Sequence, residues 1–254
     1  MSHSAATKLA PVVASFWVMK IAATTLGETA GDLISMTLHV GYAASSLILI
    51  SIFVVTLGCQ LAARRYHPPL YWTVILATSM AGTTMSDYMD RTLALGYPTG
   101  AALLLTLLLA TLAFWRIAFG SLSVDDVRSR RVELVYWIAI LFSNTLGTAL
   151  GDFLSDSSGL GFAGGAILIG ALLLAVLLAN TFTRVSRVFL FWVAFVLTRP
   201  FGATLGDVLT KPHDAGGLAL GTVGSSAALA AVLVWSVALA TFGLRRQTAV
   251  TASS

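Results

Sequence analysis

Residues 17–32 read WVMKIAATTLGETAGD, and the chain repeats that phrase as WTVILATSMAGTTMSD at 72–87, WIAILFSNTLGTALGD at 137–152 and WVAFVLTRPFGATLGD at 192–207. Each copy opens on a tryptophan (Trp17, Trp72, Trp137, Trp192) and closes on an aspartate 15 residues later (Asp32, Asp87, Asp152, Asp207). Successive copies start 55, 65 and 55 residues apart. Gly27, Gly82, Gly147 and Gly202 hold one register, and Gly31, Ser86, Gly151 and Gly206 place a small residue four positions later. Self-similarity at a fixed period marks tandem copies of one supersecondary unit.

The surrounding composition says what kind of unit this is. Of 254 residues, 57% are hydrophobic and 10% charged, where an ordinary globular domain has about a quarter charged. A membrane-crossing helix needs about 20 mostly apolar residues, and eight such windows are expected, at about 14–36, 41–63, 70–89, 98–119, 134–154, 160–182, 188–209 and 217–241. The fold class read here is all-α: one transmembrane domain over 1–254, with repeats at about 14–63, 70–119, 134–182 and 188–241. The first window is not expected to be a cleaved signal, because Lys20, Glu28 and Asp32 interrupt it. The net charge of +4 comes from 15 Lys and Arg scattered among apolar spans, which argues against nucleic acid as a partner. Cys59 is the single cysteine, so no disulfide framework or thiolate metal site is available.

Basic residues mark the cytoplasmic side of a membrane protein. Lys8, Arg64, Arg65, Arg116, Arg128, Arg130, Arg131, Arg184, Arg187, Arg245 and Arg246 fall on the side of the N-terminus, and Arg91 and Lys211 on the other. Both termini are therefore expected in the cytoplasm. The link at about 120–133, with Asp125, Asp126 and Glu133, is expected to be a solvated connector, and His3, His39, His67 and His213 to be solvated at span ends.

Each copy pairs a polar-striped helix with a nearly charge-free one, so all copies start on the same side and form parallel repeats about an axis along the membrane normal. Small residues four apart suit the first helices to a crowded inner ring, leaving the second helices to face lipid. The segments TTLGETAGD, GTTMSDYMD, GTALGDF and RPFGATLGD carry a resemblance, over about 16–240, to a bacterial family of integral membrane proteins built from four two-helix repeats. That family has no known function. The resemblance implies the fold and a multi-pass place in the bacterial inner membrane, with Ser86 as the one departure from its glycine pattern.

Counted from each tryptophan, polar residues recur at offsets 7, 11, 15 and 18, on one helix face. Offset 7 holds Thr24, Ser79, Asn144 and Arg199; offset 11 holds Glu28, Thr83, Thr148 and Ala203; offset 15 holds the aspartates; offset 18 holds Ser35, Asp90, Ser155 and Thr210. With the tryptophans in an aromatic belt, a rise of about 1.5 Å per residue puts the aspartates about 22 Å away, in the outer third of the bilayer. Intramembrane carboxylates need water, a cavity or a partner. Two readings stand: they line a cation pathway, or they cap helix ends at the outer surface. Lys20 is expected to snorkel to the cytoplasmic edge. Arg199, deeper in the stripe, is a counter-charge or gate within reach of Glu28 or else a static pair, and Pro200 is expected to kink its helix.

Oxygen donors without thiolate or imidazole favour hard cations such as Mn²⁺, Mg²⁺ or Ca²⁺, or protons. The function read here is a transporter or channel-like carrier for such a cation, with no resident cofactor. Its pathway residues are Glu28, Asp32, Asp87, Asp152, Asp207, Thr24, Asn144 and Thr148; its gate is Arg199 and Lys20; its metal ligands are the four aspartates. The rival is a membrane-embedded accessory subunit whose stripe serves helix packing. An enzyme is not expected, since the GxGD of intramembrane aspartyl proteases is missing. The bilayer is the expected partner, with homo-oligomer formation left open.

Overall fold

The computed structural model describes residues 8–253, with side chains as far as Leu244. His3 and the side chains of Arg245 and Arg246 lie outside this range. The described residues form eight long helices: α1 (Ala14–Asp32), α2 (Tyr42–Ala62), α3 (Pro68–Asp87), α4 (Tyr97–Phe119), α5 (Arg130–Asp152), α6 (Gly161–Phe182), α7 (Arg187–Thr210) and α8 (Thr222–Ser253). No strand occurs among the described residues. Six of the helices, α2 and α4 to α8, are long and apolar enough to cross a membrane. The remaining two, α1 and α3, carry the polar stripe that lowers their hydropathy.

The odd helices close a ring in which α1 packs on α3, α3 on α5, α5 on α7 and α7 on α1. Glycine makes that closure possible. A Cβ on Gly27, Gly147 or Gly202 would run into Ser79, Arg199 or Thr24, and one on Gly82 would come within 3.0 Å of the Asn144 backbone. In every case the offset-10 glycine is the hole, and the offset-7 side chain of the next repeat is the knob. The small residues of the repeat are therefore where neighbouring helices touch, as small-xxx-small pairs allow.

The even helices sit outside, but not as hairpins with their own partners. α2 packs chiefly on α3, α4 on α5, α6 on α7 and α8 on α1, so each outer helix covers the inner helix of the following repeat. The turns between inner and outer helices repeat as well. A residue of positive φ and a second one two positions later recur at His39 and Gly41, Ala94 and Gly96, Gly159 and Gly161, and Ala219 and Gly221. In the first three repeats the aspartate is followed by a π-helical turn, at Leu33–Thr37, Tyr88–Thr92 and Phe153–Ser157. The fourth has instead a longer link beginning Lys211-Pro212, with a 3₁₀ turn at His213–Ala215.

The tryptophans correct the sequence reading. Trp72, Trp137 and Trp192 are buried instead of lying in a surface belt. Each of the four repeat tryptophans, the half-buried Trp17 included, meets the aromatic residue that precedes the tryptophan of the previous repeat: Phe16 on Trp72, Tyr71 on Trp137, Tyr136 on Trp192 and Phe191 on Trp17, with ring centroids 5.6, 5.4, 6.4 and 5.8 Å apart. A collar of tilted and edge-on rings, reinforced by a 2.7 Å hydrogen bond between the Tyr71 and Tyr136 hydroxyls, closes this end of the ring.

The link before α5 is also more than a solvated connector. Val127 is buried, Leu122 O accepts from Trp192 Nε1 at 3.0 Å, and Glu133 is buried in an ion pair with Lys8 while accepting from Gln60 Nε2 at 2.9 Å. A carboxylate in the first turn of α5 gains from the helix dipole as well as from that ammonium.

Candidate functional site: an axial guanidinium beneath a layer of aspartates

The stripe faces the ring's interior, and its centre is occupied. Arg199 of α7 is fully buried and forms an ion pair with Glu28 of α1 at 2.9 Å. The same guanidinium donates to Thr24 O at 3.1 Å, Ser79 O at 3.3 Å, Thr148 Oγ1 at 2.7 Å and the Thr83 hydroxyl. One side chain from the fourth repeat thus bonds to each of the other three. Thr83 and Thr148 in turn donate to Glu28 Oε2, at 3.2 and 3.5 Å. Arginine suits this place because its planar, permanently charged head presents several donors at once. Pro200, beside it, lies against α5 where Gly147 leaves room, and α7 runs unbroken through it from Arg187 to Thr210.

One helical turn beyond lie the four aspartates, each between 3% and 5% exposed. Two cations divide them. Arg91 bonds its own Asp87 at 2.9 Å and reaches Asp152 of the next repeat at 3.5 Å, with Asp156 at 3.7 Å. Lys211 bonds its own Asp207 at 3.2 Å and Asp32 of the first repeat at 3.3 Å. Burial alone would lower the Lys211 ammonium, but Asp207 and Asp32 outweigh it and push its pKa up, so it stays charged. Oxygens of Glu28, Asp32 and Asp207 fall within 4.8 Å of one another, a spacing compatible with shared coordination of an ion.

The expected layers fare unequally. Glu28, Thr148 and Arg199 meet at the axis, and the four aspartates meet in cation-bridged pairs. Asn144 turns instead to Thr78 across the α3–α5 seam, at 2.9 Å, and Thr24 Oγ1 donates to Thr198 O across the α1–α7 seam at 3.2 Å. Both belong to helix contacts. The offset-18 layer dissolves: Ser35, Ser155 and Thr210 donate back to the carbonyls of Gly31, Gly151 and Gly206. Asp90 accepts from Ser86 at 3.3 Å and lies against Gly100 of α4.

Lys20 does not snorkel. It is fully buried, with Nζ 4.1 Å from the Phe195 ring centroid and no hydrogen-bond partner among the described residues. The reason is its register: it stands four residues before Thr24 on the striped face of α1, so the ring covers it and the aromatic collar blocks the way out. Its layer is otherwise Ile75, Ile140 and Phe195, all buried.

Four copies of one unit, closed head to tail around a buried arginine, match one family profile over residues 15–66, 70–119, 135–186 and 190–245. The chain belongs to the Repeat of Unknown Function (DUF347) family. The matched residues contain the collar, every residue of the axial site and all of the ring helices but their first residues in this DUF347 protein. No curated protein and no solved structure matches the chain.

Sequence reasoning missed Arg91 and Lys211 as partners of the aspartates by assigning both to an outer loop. The signal was present, since each stands four residues after an aspartate, the spacing of a helical ion pair.

Proposed function

We propose that this DUF347 protein is a membrane carrier for a hard cation, either a divalent metal ion such as Mn²⁺, Mg²⁺ or Ca²⁺ or a proton-coupled cargo. All eight helices cross the inner membrane, α1 and α3 beside the α5 and α7 with which they form the ring. The aspartate end faces outward and the tryptophan end, with both termini, faces the cytoplasm. The basic residues at the tryptophan end, among them Arg64, Arg65, Arg130, Arg131, Arg184 and Arg187, support this orientation.

The observation that carries the reading is a shortage of positive charge. Glu28 is matched by Arg199, but the four buried aspartates have only Arg91 and Lys211 as ion-pair partners among the described residues. Two carboxylates in excess, within a membrane, favour proton or cation uptake. A cation arriving at Asp32 and Asp207 competes with Lys211, which is 27% exposed and can withdraw outward. To go deeper it takes Glu28 from Arg199, and the aromatic collar bars the far end until the ring rearranges. Arg199 is then the gate, and charge competition is what opens it.

Reconstituted protein tests this with a panel of Mn²⁺, Mg²⁺ and Ca²⁺ across vesicles, with and without a pH gradient. Asp32→Asn with Asp207→Asn is expected to abolish flux while the protein still purifies as a folded species. A second reading, a structural or accessory subunit, draws on the bonds from Arg199 to three repeats. It predicts no flux for any cation and failed assembly when the aspartates are replaced.

A further inference from the structure

Two grooves on the outside of the ring occupy equivalent positions and differ in charge. One, of about 450 Å³, lies between α3 and α8, where Trp72 and Leu76 face Leu233 and Val237, and no charged residue lines it. The other, of about 640 Å³, lies among α1, α6 and α7, with Trp17 and Ile21 in the places of Trp72 and Leu76. Its lining adds Asn180 and Arg187. Both side chains are exposed, and neither has an ion pair or side-chain hydrogen bond among the described residues. Arg187 is also the first residue of α7, so the positive end of that helix lies at the same mouth. The floor of the groove reaches Thr198, whose carbonyl accepts from Thr24 across the α1–α7 seam.

We propose that the α1–α6–α7 groove holds one anionic phospholipid of the cytoplasmic leaflet, its phosphate on Arg187 and Asn180 and an acyl chain along Ile21, Leu173 and Leu177. The proposal rests on the membrane embedding given above and not on cation transport. An uncovered apolar trough ending in an unpaired guanidinium matches an amphiphile with a negative head, and the anionic leaflet supplies one. A zwitterionic lipid fills the trough without using the guanidinium, and free phosphate lacks the chain. Seated there, the lipid braces the seam at which the fourth repeat meets the first, one residue from the axial arginine.

The test is retention of dioleoyl phosphatidylglycerol against dioleoyl phosphatidylcholine by the detergent-purified full chain, read by native mass spectrometry, with inorganic phosphate as a separate arm. One phosphatidylglycerol per chain is expected, favoured about fivefold over phosphatidylcholine, the scale of one basic residue at an anionic surface. Arg187→Gln, at an exposed position, should remove the preference, and Leu177→Trp should reduce retention of both lipids. Equal retention of the two lipids, two tight sites per chain, an unchanged preference in R187Q, binding of phosphate alone, or retention of neither lipid would each overturn it. Flux of any cation bears on none of these outcomes, so this proposal and the carrier reading fail separately.

Discussion

The two halves of the aspartate layer are built alike and charged differently. In each, a cation bonds the aspartate of its own repeat and reaches across to that of the next: Arg91 from Asp87 to Asp152, Lys211 from Asp207 to Asp32. Repeats one and three carry Met36 and Asp156 at the matching position and contribute no cation. A fourfold backbone thus holds a twofold charge pattern. The halves also differ in depth. Glu28 lies against Asp32 and Asp207, whereas repeats two to four have Thr83, Thr148 and Ala203 at that register. The four copies share one scaffold, and residues at single positions on it make one half the Glu28–Asp32–Asp207 cluster and the other an arginine-clamped one.

The largest expected effect comes from removing what both halves share. Arg199→Met leaves Glu28 buried without its ion-pair partner and cuts the bonds to three repeats, and is expected to cost about 3–5 kcal/mol. Thermal melting in detergent measures it, and Glu28→Gln in the same chain should restore part of the loss. Full stability in the single variant would show that the axial pair holds nothing together.

Crowding the ring should cost less. Gly147→Leu pushes α5 from Arg199 and Pro200, with an expected loss of about 1–3 kcal/mol. Gly58→Leu, on α2, where a Cβ meets nothing within 4 Å, serves as the control and should melt like the parent.

The comparison is sharpened by exchanging cations. Lys211→Met should raise the affinity for Mn²⁺ by about tenfold, or 1.4 kcal/mol, by freeing the cluster of Glu28, Asp32 and Asp207. Arg91→Met, whose ion-pair partners are aspartates alone with no glutamate beside them, should raise it less. Mn²⁺-dependent shifts in melting temperature read both, and equal responses would remove the distinction between the halves. The smallest effect is expected at Lys20: methionine there replaces an unpartnered buried ammonium and should leave stability unchanged or raise it by about 1 kcal/mol.

Much of this was legible in the chain. Trp17, Gly27 and Asp32, with their three sets of counterparts, announced a parallel repeat and the face on which the helices meet, because a helix puts residues three and four apart on one side. The depth of Arg199 in that stripe put Glu28 within its reach. The collar was written in the aromatic residue before each tryptophan, Phe16, Tyr71, Tyr136 and Phe191, but its meaning depends on which repeat follows which around the ring. Lys20 was misjudged because snorkelling depends on a free path to the interface, and only packing shows that the path is shut.

The sequence alone determined the period, the polar face and the apolar helices, since these follow from local spacing and composition. The tertiary structure decided the rest: that each outer helix covers the next repeat's inner helix, that two cations pair four aspartates, and that a guanidinium occupies the axis. Those are contacts between residues up to 197 positions apart, such as Thr29 and Ser226, and local periodicity carries no information about which distant copies become neighbours.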